Sequence, residues 1–263
     1  MDYKLDGNVA LVTASSSGLG KASAKALASE GANVVINGRS EENLAEAKDD
    51  ILAVAEGDVL AVRGDLTIPD DIERLTDRTV EEFGGIDHLV TNAGGPPSGP
   101  FMEMDDEDWY SAFDLLVMSV VRLVRNAAPY LRDDGGGTIV TIASRSVKEA
   151  IPSLVLSNAV RMSVIGLEKT LSKELAPDVR ANAVLPAPHE TTRQRELIQA
   201  AVDRGEYDSY EDGLDAKGDI NPLGRIGDPM ELGDAVAYLS SERSSFINGV
   251  AIPIDGGQGA SNL

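Results

Sequence analysis

Short apolar, β-branched runs alternate along this chain with longer segments in which apolar residues recur at helical spacing. The short runs are NVALVT at 8–13, NVVIN at 33–37, VLAVR at 59–63, IDHLVT at 86–91, GTIVTIA at 137–143, VRANAVL at 179–185 and VAIPI at 250–254. The amphipathic segments between them lie at 19–30, 41–55, 69–83, 106–131, 153–176 and 229–239. Strand followed by helix, repeated with short links, predicts a parallel sheet covered on both faces. Right-handed crossovers make that a doubly wound α/β fold, with ligands bound beyond the carboxyl ends of the strands. No linker, repeat or low-complexity tract divides the chain, so residues 1–263 read as one domain. The polar stretch at about 190–222 breaks the rhythm and is long enough to form a lobe over a substrate.

Composition narrows the chemistry. The chain has no cysteine and two histidines, His88 and His189, which removes disulfides and thiol catalysis and predicts no metal site. A net charge of −21 repels nucleic acid and anionic membranes, so neither is expected as a partner. Acidic residues are spread along the whole chain and Arg outnumbers Lys, a balance that resembles proteins of salt-loving organisms. No apolar run approaches membrane-spanning length, and MDYKLDGN lacks the features of a signal peptide. Both point to a soluble, cytoplasmic protein.

The candidate chemistry lies at the carboxyl ends of the strands. After the first strand, ASSSGLG places small residues and Gly18 and Gly20 where a backbone can approach a phosphate at a helix start. After the second, Gly38 leaves room and Arg39 offers a guanidinium fork where a dinucleotide's adenosine ribose would lie; an Arg there suits a 2′-phosphate. Asp65 follows the third strand, placed to accept from an adenine amino group, and the permissive TNAG at 91–94 follows the fourth.

The ordered set TASSSGLG (13–20), GDL (64–66), TNAG (91–94), IAS (142–144), NAVLPA (182–187), PLGRIGDP (222–229) and DGG (255–257) resembles the short-chain dehydrogenase/reductase family. It is most similar to the 3-oxoacyl-carrier-protein reductase-like branch, and the likeness runs through essentially the whole chain. The resemblance implies a Rossmann fold of about seven strands and NADP as cofactor, with NAD second. It implies cofactor contacts from Thr13, Ser15, Ser17, Gly18, Leu19, Gly20, Arg39, Asp65, Leu66, Asn92, Ala93, Gly94, Arg161, Pro186, His189 and Thr191. It further implies a carbonyl or alcohol substrate, such as a 3-oxoacyl thioester. Relatives pair through segments matching 106–131, 153–176 and the last strand, so a homo-dimer or homo-tetramer is expected.

The chain departs from the family at the catalytic positions. Ser144 matches the family's serine, but Ser157 stands in place of the tyrosine, Arg161 in place of the lysine and Leu116 in place of the asparagine. Ala14 and Ala187 stand where relatives carry glycine. A phenol has a pKa near ~10 that a neighbouring cation can lower, whereas an aliphatic hydroxyl is a far weaker acid. Arg161 can hold ribose hydroxyls, but it stays charged and relays no proton. Helical i,i+4 spacing still puts Ser157 and Arg161 on one face. Lys148, followed by Glu149, and His189 are the candidate replacement proton carriers; Tyr207 and Tyr210 lie in the polar lobe. Three readings stay open: a reductase with a rearranged site, a non-catalytic dinucleotide-binding sensor or partner subunit, and elimination or isomerisation on the same fold.

Overall fold

The computed structural model describes residues 2–132 and 136–261. Its first half runs β1 (Val9–Val12), α1 (Gly18–Ser29), β2 (Asn33–Gly38), α2 (Glu41–Leu52), β3 (Val59–Arg63), α3 (Pro69–Phe83) and β4 (His88–Thr91). The second half runs α4 (Asp106–Phe113), α5 (Ser119–Leu131), β5 (Gly137–Ile142), α6 (Val155–Glu174), β6 (Val179–Pro186), α7 (Thr192–Asp203), α8 (Tyr210–Gly218), α9 (Pro229–Ser240) and β7 (Ala251–Ile254).

The seven strands form one parallel sheet in the order β3-β2-β1-β4-β5-β6-β7. The chain moves outward from β1 to β3, then returns to the other side of β1 at β4. That reversal opens a crevice beyond the carboxyl ends of β1 and β4. Side chains of alternate residues in each strand enter opposite cores. Leu11, Val35, Leu89 and Ile139 pack under α3, α5 and α6 with Leu75, Leu123, Leu156 and Val164. Ala10, Val12, Ile36, Val90 and Val140 pack under α1, α2 and α9 with Leu27, Leu44, Leu232 and Val236. Helices α1 and α9 approach closely because Gly233 has no side chain; a Cβ there would lie 2.6 Å from the Ala22 carbonyl oxygen.

Local chemistry explains several element ends. Asp228 caps α9 in a reciprocal box with Glu231, with Pro229 at the first helical position. Gly84, at φ 87°, closes α3 in the left-handed conformation. One segment differs from its sequence reading. The helix expected over 106–131 is interrupted by a π-helical turn at Asp114–Met118, whose wider spacing carries Leu116 inward. The polar lobe at 190–222, for which the sequence pattern named no elements, holds α7 and α8; Ser209 caps α8 and Thr191 accepts from the Gln194 amide at the start of α7.

Candidate functional site

The turn after β1 is held by hydroxyls that are consumed internally. Thr13 Oγ1 donates to the Asn92 carbonyl at 2.8 Å and accepts from the Asn92 amide at 2.9 Å. Ser15 Oγ donates to Val12 O at 2.6 Å and accepts from the Asn37 amide at 3.0 Å. Both side chains are fully buried, so they shape the turn and leave no hydroxyl for a ligand. Asn92 Nδ2 donates to Ala14 O at 3.1 Å, joining the β1 and β4 turns. Ala14 sits at φ 45°, a left-handed conformation that carries strain for a residue with a Cβ. A Cβ on Gly20 would lie 2.5 Å from Ala14 O and 2.7 Å from Asn92 Nδ2, so close backbone approach requires glycine there.

Above this turn the groups are free. Ser17 is exposed at the N-cap of α1 with no side-chain cap bond, beside half-exposed Gly18 and Leu19. The first amides of α1 and the positive end of its dipole face outward with it, an arrangement suited to a phosphate. Thr191 packs over Gly18, where a Cβ would lie 3.5 Å from its Cγ2, so the loop after β6 closes one side.

At the ends of β2 and β3 an open cleft of ≈ 560 Å³ is walled by Arg39, Arg63, Gly64, Asp65, Ile68, Asp71 and Arg74. Sequence reasoning found Arg39 but missed Arg63 and Arg74. Arg63 Nε donates to Arg39 O at 3.0 Å, and Arg74 Nη2 donates to Arg63 O at 3.0 Å. Asp65 uses Oδ1 to accept from the amide and hydroxyl of Thr67, while Oδ2 lies 4.0 Å from Arg39 Nη1. Leu66 is buried and supports the turn from below. Asn37, also missed, ties the region together: its Nδ2 reaches Val62 O and Gly64 O, and its Oδ1 accepts from the Ala14 amide.

The candidate catalytic residues lie beyond the carboxyl end of β5 and on the first turns of α6. Ser144 caps a 3₁₀ turn at Arg145–Val147 by accepting from the Ser146 amide at 3.1 Å. The hydroxyls of Ser146 and Ser157 lie 3.1 Å apart, and both residues are buried. Ser146 is thus an unforeseen member of a three-serine cluster. Arg161, one turn along α6 from Ser157, donates from Nη1 to Ile142 O at 3.4 Å. Its Nε is buried without a partner among the described residues, and desolvation lowers its pKa to about 10. Leu116, buried, faces the same cavity as Arg161. The amide expected in relatives is therefore replaced by a methyl-lined wall.

Of the replacement proton carriers, Lys148 is exposed at the end of the 3₁₀ turn. Beside it Glu149 pairs with Arg145 at 3.2 Å and accepts from the Ala260 amide. His189 is placed differently. Its ring is buried against Gly227, and Nδ1 lies 2.7 Å from the Ala187 carbonyl. Burial pushes its pKa below the ordinary value, so the ring is neutral and Nδ1–H donates to Ala187. It lines a small cavity with Asn221, Arg225, Glu231 and Asp255, apart from the serine cluster. Tyr207 packs on Gly213, and the Tyr210 hydroxyl meets Glu190 at 3.5 Å. Ala93 and Gly94 continue the crevice past β4; a Cβ on Gly94 would meet nothing within 4 Å. Pro186 ends β6 opposite Ile254. Among the described residues no His, Asp and Glu cluster could hold a metal, and no helix is long and apolar enough to cross a membrane.

Known proteins share this architecture over its whole length. Residues 13–258 match the profile of a family described as Enoyl-(Acyl carrier protein) reductase. Dehydrogenase/reductase SDR family member 4 of Caenorhabditis elegans is 33% identical over 258 residues, covering 97% of this chain and 96% of that protein. The 3-oxoacyl-[acyl-carrier-protein] reductase of Thermotoga maritima is 33% identical over 255 residues, covering 97% and 98%. L-sorbose reductase from Gluconobacter frateurii, solved with NADPH and L-sorbose, superposes with a TM-score of 0.95 at 32% identity, covering 99% of this chain and 100% of that one.

Proposed function

The chain belongs to the short-chain dehydrogenase/reductase family, and we propose that it is an NADP-dependent oxidoreductase whose site lacks the usual proton donor. The substrate is a carbonyl compound or secondary alcohol, a 3-oxoacyl thioester among them. The observation that carries the reading is the arginine-walled cleft beside the glycine turn: Arg39, Arg63 and Arg74 border the space next to a free helix N-terminus. Three guanidinium groups suit a 2′-phosphate, and the α1 amides suit the pyrophosphate. Solved relatives with NADPH in their sites support the same assignment.

In this reading Gly18, Gly20, Asn92, Ala93, Gly94, Pro186 and Thr191 shape the dinucleotide groove. Thr13, Ser15 and Leu66 act through the backbone they hold. When bound, the cofactor supplies or accepts the hydride. Arg161 holds ribose hydroxyls, and Ser144 and Ser157 orient the substrate oxygen. With no phenol at Ser157, Lys148, exposed at the end of the 3₁₀ turn, is a titratable candidate in its place. Loss of one general acid costs roughly 10²–10⁴ in rate, which leaves slow turnover open to a well-positioned substrate.

A second reading is favoured by Leu116 and the Ser146–Ser157 pair, which engage the catalytic positions with one another. On it the protein binds the dinucleotide without turnover, as a sensor or partner subunit. Loss of NADPH absorbance across a carbonyl panel in high salt separates the two. Turnover supports the enzyme; binding without turnover on any carbonyl supports the sensor. In an active preparation Lys148→Met decides the role of that residue: a kcat lowered at least tenfold makes it the proton carrier, and an unchanged kcat leaves the proton to another group.

The exposed Tyr110, Phe113 and Met162 on α4–α6, with Phe246 and Val250 near β7, suit a homo-dimer or homo-tetramer. The acidic composition suits the cytoplasm of a salt-accumulating cell.

A further inference from the structure

Helix α6 carries a third polar residue on the face that bears Ser157 and Arg161. Glu168 lies two turns beyond Arg161 and is 3% exposed. Its Oε1 accepts from Thr141 Oγ1, and Thr141 Oγ1 lies 2.7 Å from Thr91 Oγ1. Its Oε2 is buried with no partner among the described residues. Thr91 and Thr141 are also walls of the cavity beneath Arg161, together with Asn92, Leu116 and Ser119. That cavity, ≈ 10 Å³, is about the size of one water, and the unpartnered Arg161 Nε is buried beside it. The hydroxyls of Thr141 and Thr91 therefore link the buried carboxyl to a cavity bordered by Asn92 and Ala93.

The charge environment fits a stored proton. Burial raises the Glu168 pKa to about 8 against the opposing hydrogen bond from Thr141. Among the described residues Arg161 is the one charged side chain lining the cavity; β4 and β5 present threonines, and the segment from Leu116 to Leu123 presents Leu116, Ser119, Val120 and Leu123. A serine at 157 and a permanently charged arginine at 161 supply no proton of their own, while Glu168 holds one at neutral pH.

We propose that Glu168, Thr141 and Thr91 form a proton store that serves the crevice through the cavity beneath Arg161, resting on the dinucleotide-binding reading above. With Glu168 protonated, the Thr141 hydroxyl turns to Thr91 and the carboxyl O–H becomes the donor; that O–H bond breaks and its proton passes to Thr141 Oγ1. The Thr141 hydroxyl proton passes to Thr91, and that of Thr91 to a water in the cavity. The water gives one of its protons to the substrate oxygen as the carbonyl is reduced by the cofactor's hydride. A carboxylate remains on Glu168, and solvent returns its proton along the same hydroxyls once the products leave. Glu168 is a proton-storing residue in this scheme and touches neither substrate nor cofactor.

The test needs no turnover. In protein labelled with carboxyl ¹³C-glutamate, one carboxyl resonance titrates near pH 8 and vanishes in Glu168→Gln, whose amide oxygen still accepts from Thr141. Adding NADP⁺ moves that midpoint down and releases a fraction of a proton per dinucleotide, read by calorimetry in two buffers of different ionisation enthalpy. Glu168→Gln binds NADP⁺ and releases no such proton; Thr141→Val keeps the titrating carboxyl but slows its proton exchange with solvent, read from the resonance line width. A Glu168 carboxyl titrating in the ordinary range, proton release unchanged in Glu168→Gln, or exchange unchanged in Thr141→Val overturns the store. Absence of any binding heat overturns the dinucleotide reading instead, and with it the delivery of protons to that crevice.

Discussion

His88 shows how much a single buried side chain can contribute far from the crevice. At the amino end of β4 its Nε2 accepts from Asn8 Nδ2 and its Nδ1 donates to Thr138 Oγ1, both at 2.9 Å. Burial, helped by Arg180, lowers its pKa from 6.5 to about 3. The unfolded chain therefore binds a proton near pH 6.5 that the folded protein refuses until about pH 3. Its stabilisation is complete above pH 6.5 and declines as pH falls toward 3, by about 1.4 kcal/mol per unit. Glu168 acts in the opposite sense, binding its proton more tightly when folded between pH 4.5 and about 8. Comparing variants separates the two. In urea unfolding, His88→Gln is less stable than wild type at pH 7.5, and the gap narrows steadily toward pH 4. A gap independent of pH would show that His88 titrates normally in the fold.

Between residues and the whole fold, α6 is the element that organises the site. Its face presents Ser157 to Ser146, Arg161 to Ile142 and Glu168 to Thr141. Asn158 fixes its entry by accepting from the Ile151 amide at 3.2 Å and donating to the Ile151 carbonyl at 2.9 Å. Asn158→Ala removes both bonds and costs about 1–2 kcal/mol. Limited proteolysis then cuts faster within 150–154; an unchanged rate would mean the loop is held by other contacts.

The same helix marks where sequence reading stops. The strands were legible because buried parallel strands are continuous β-branched runs, as in NVVIN and VRANAVL. The glycine turn and the places of Ser157 and Arg161 were legible because a motif fixes their spacing. Ser146 was not, since its partner is set by how the 3₁₀ turn folds back on α6. Arg63 and Arg74 meet Arg39 only through the pairing of β2 with β3 and the tilt of α3. Nothing in the sequence distinguishes Glu168 from the other acids of its helical run; the sheet beneath it is what buries it. The sequence places His189 in the loop after β6, and only the fold shows that its ring packs on Gly227.

At the scale of the whole molecule, charge is the dominant unusual feature. A net charge of −21 on 263 residues sets acidic side chains against one another over most of the surface. The ion pairs that relieve it, such as Lys4–Glu242 and Lys21–Asp50, are partly or fully exposed and contribute little each. Salt shortens the screening length from about 10 Å at 0.1 M to about 3 Å at 1 M. The Tm accordingly rises between about 0.1 and 2 M KCl. A flat or falling Tm would show that the acidic surface is already relieved at low salt.

The crevice at the reversal of strand order joins these scales; on the proposed reading its nucleotide end is intact and its proton end rebuilt. Calorimetric titration with NADPH and NADH in high salt measures the first directly. NADPH binds at least about tenfold tighter than NADH, as expected if charge-assisted bonds from Arg39 and its neighbours reach the 2′-phosphate, and Arg39→Ala narrows the difference. Equal or tighter binding of NADH, or no binding of either, would contradict the assignment.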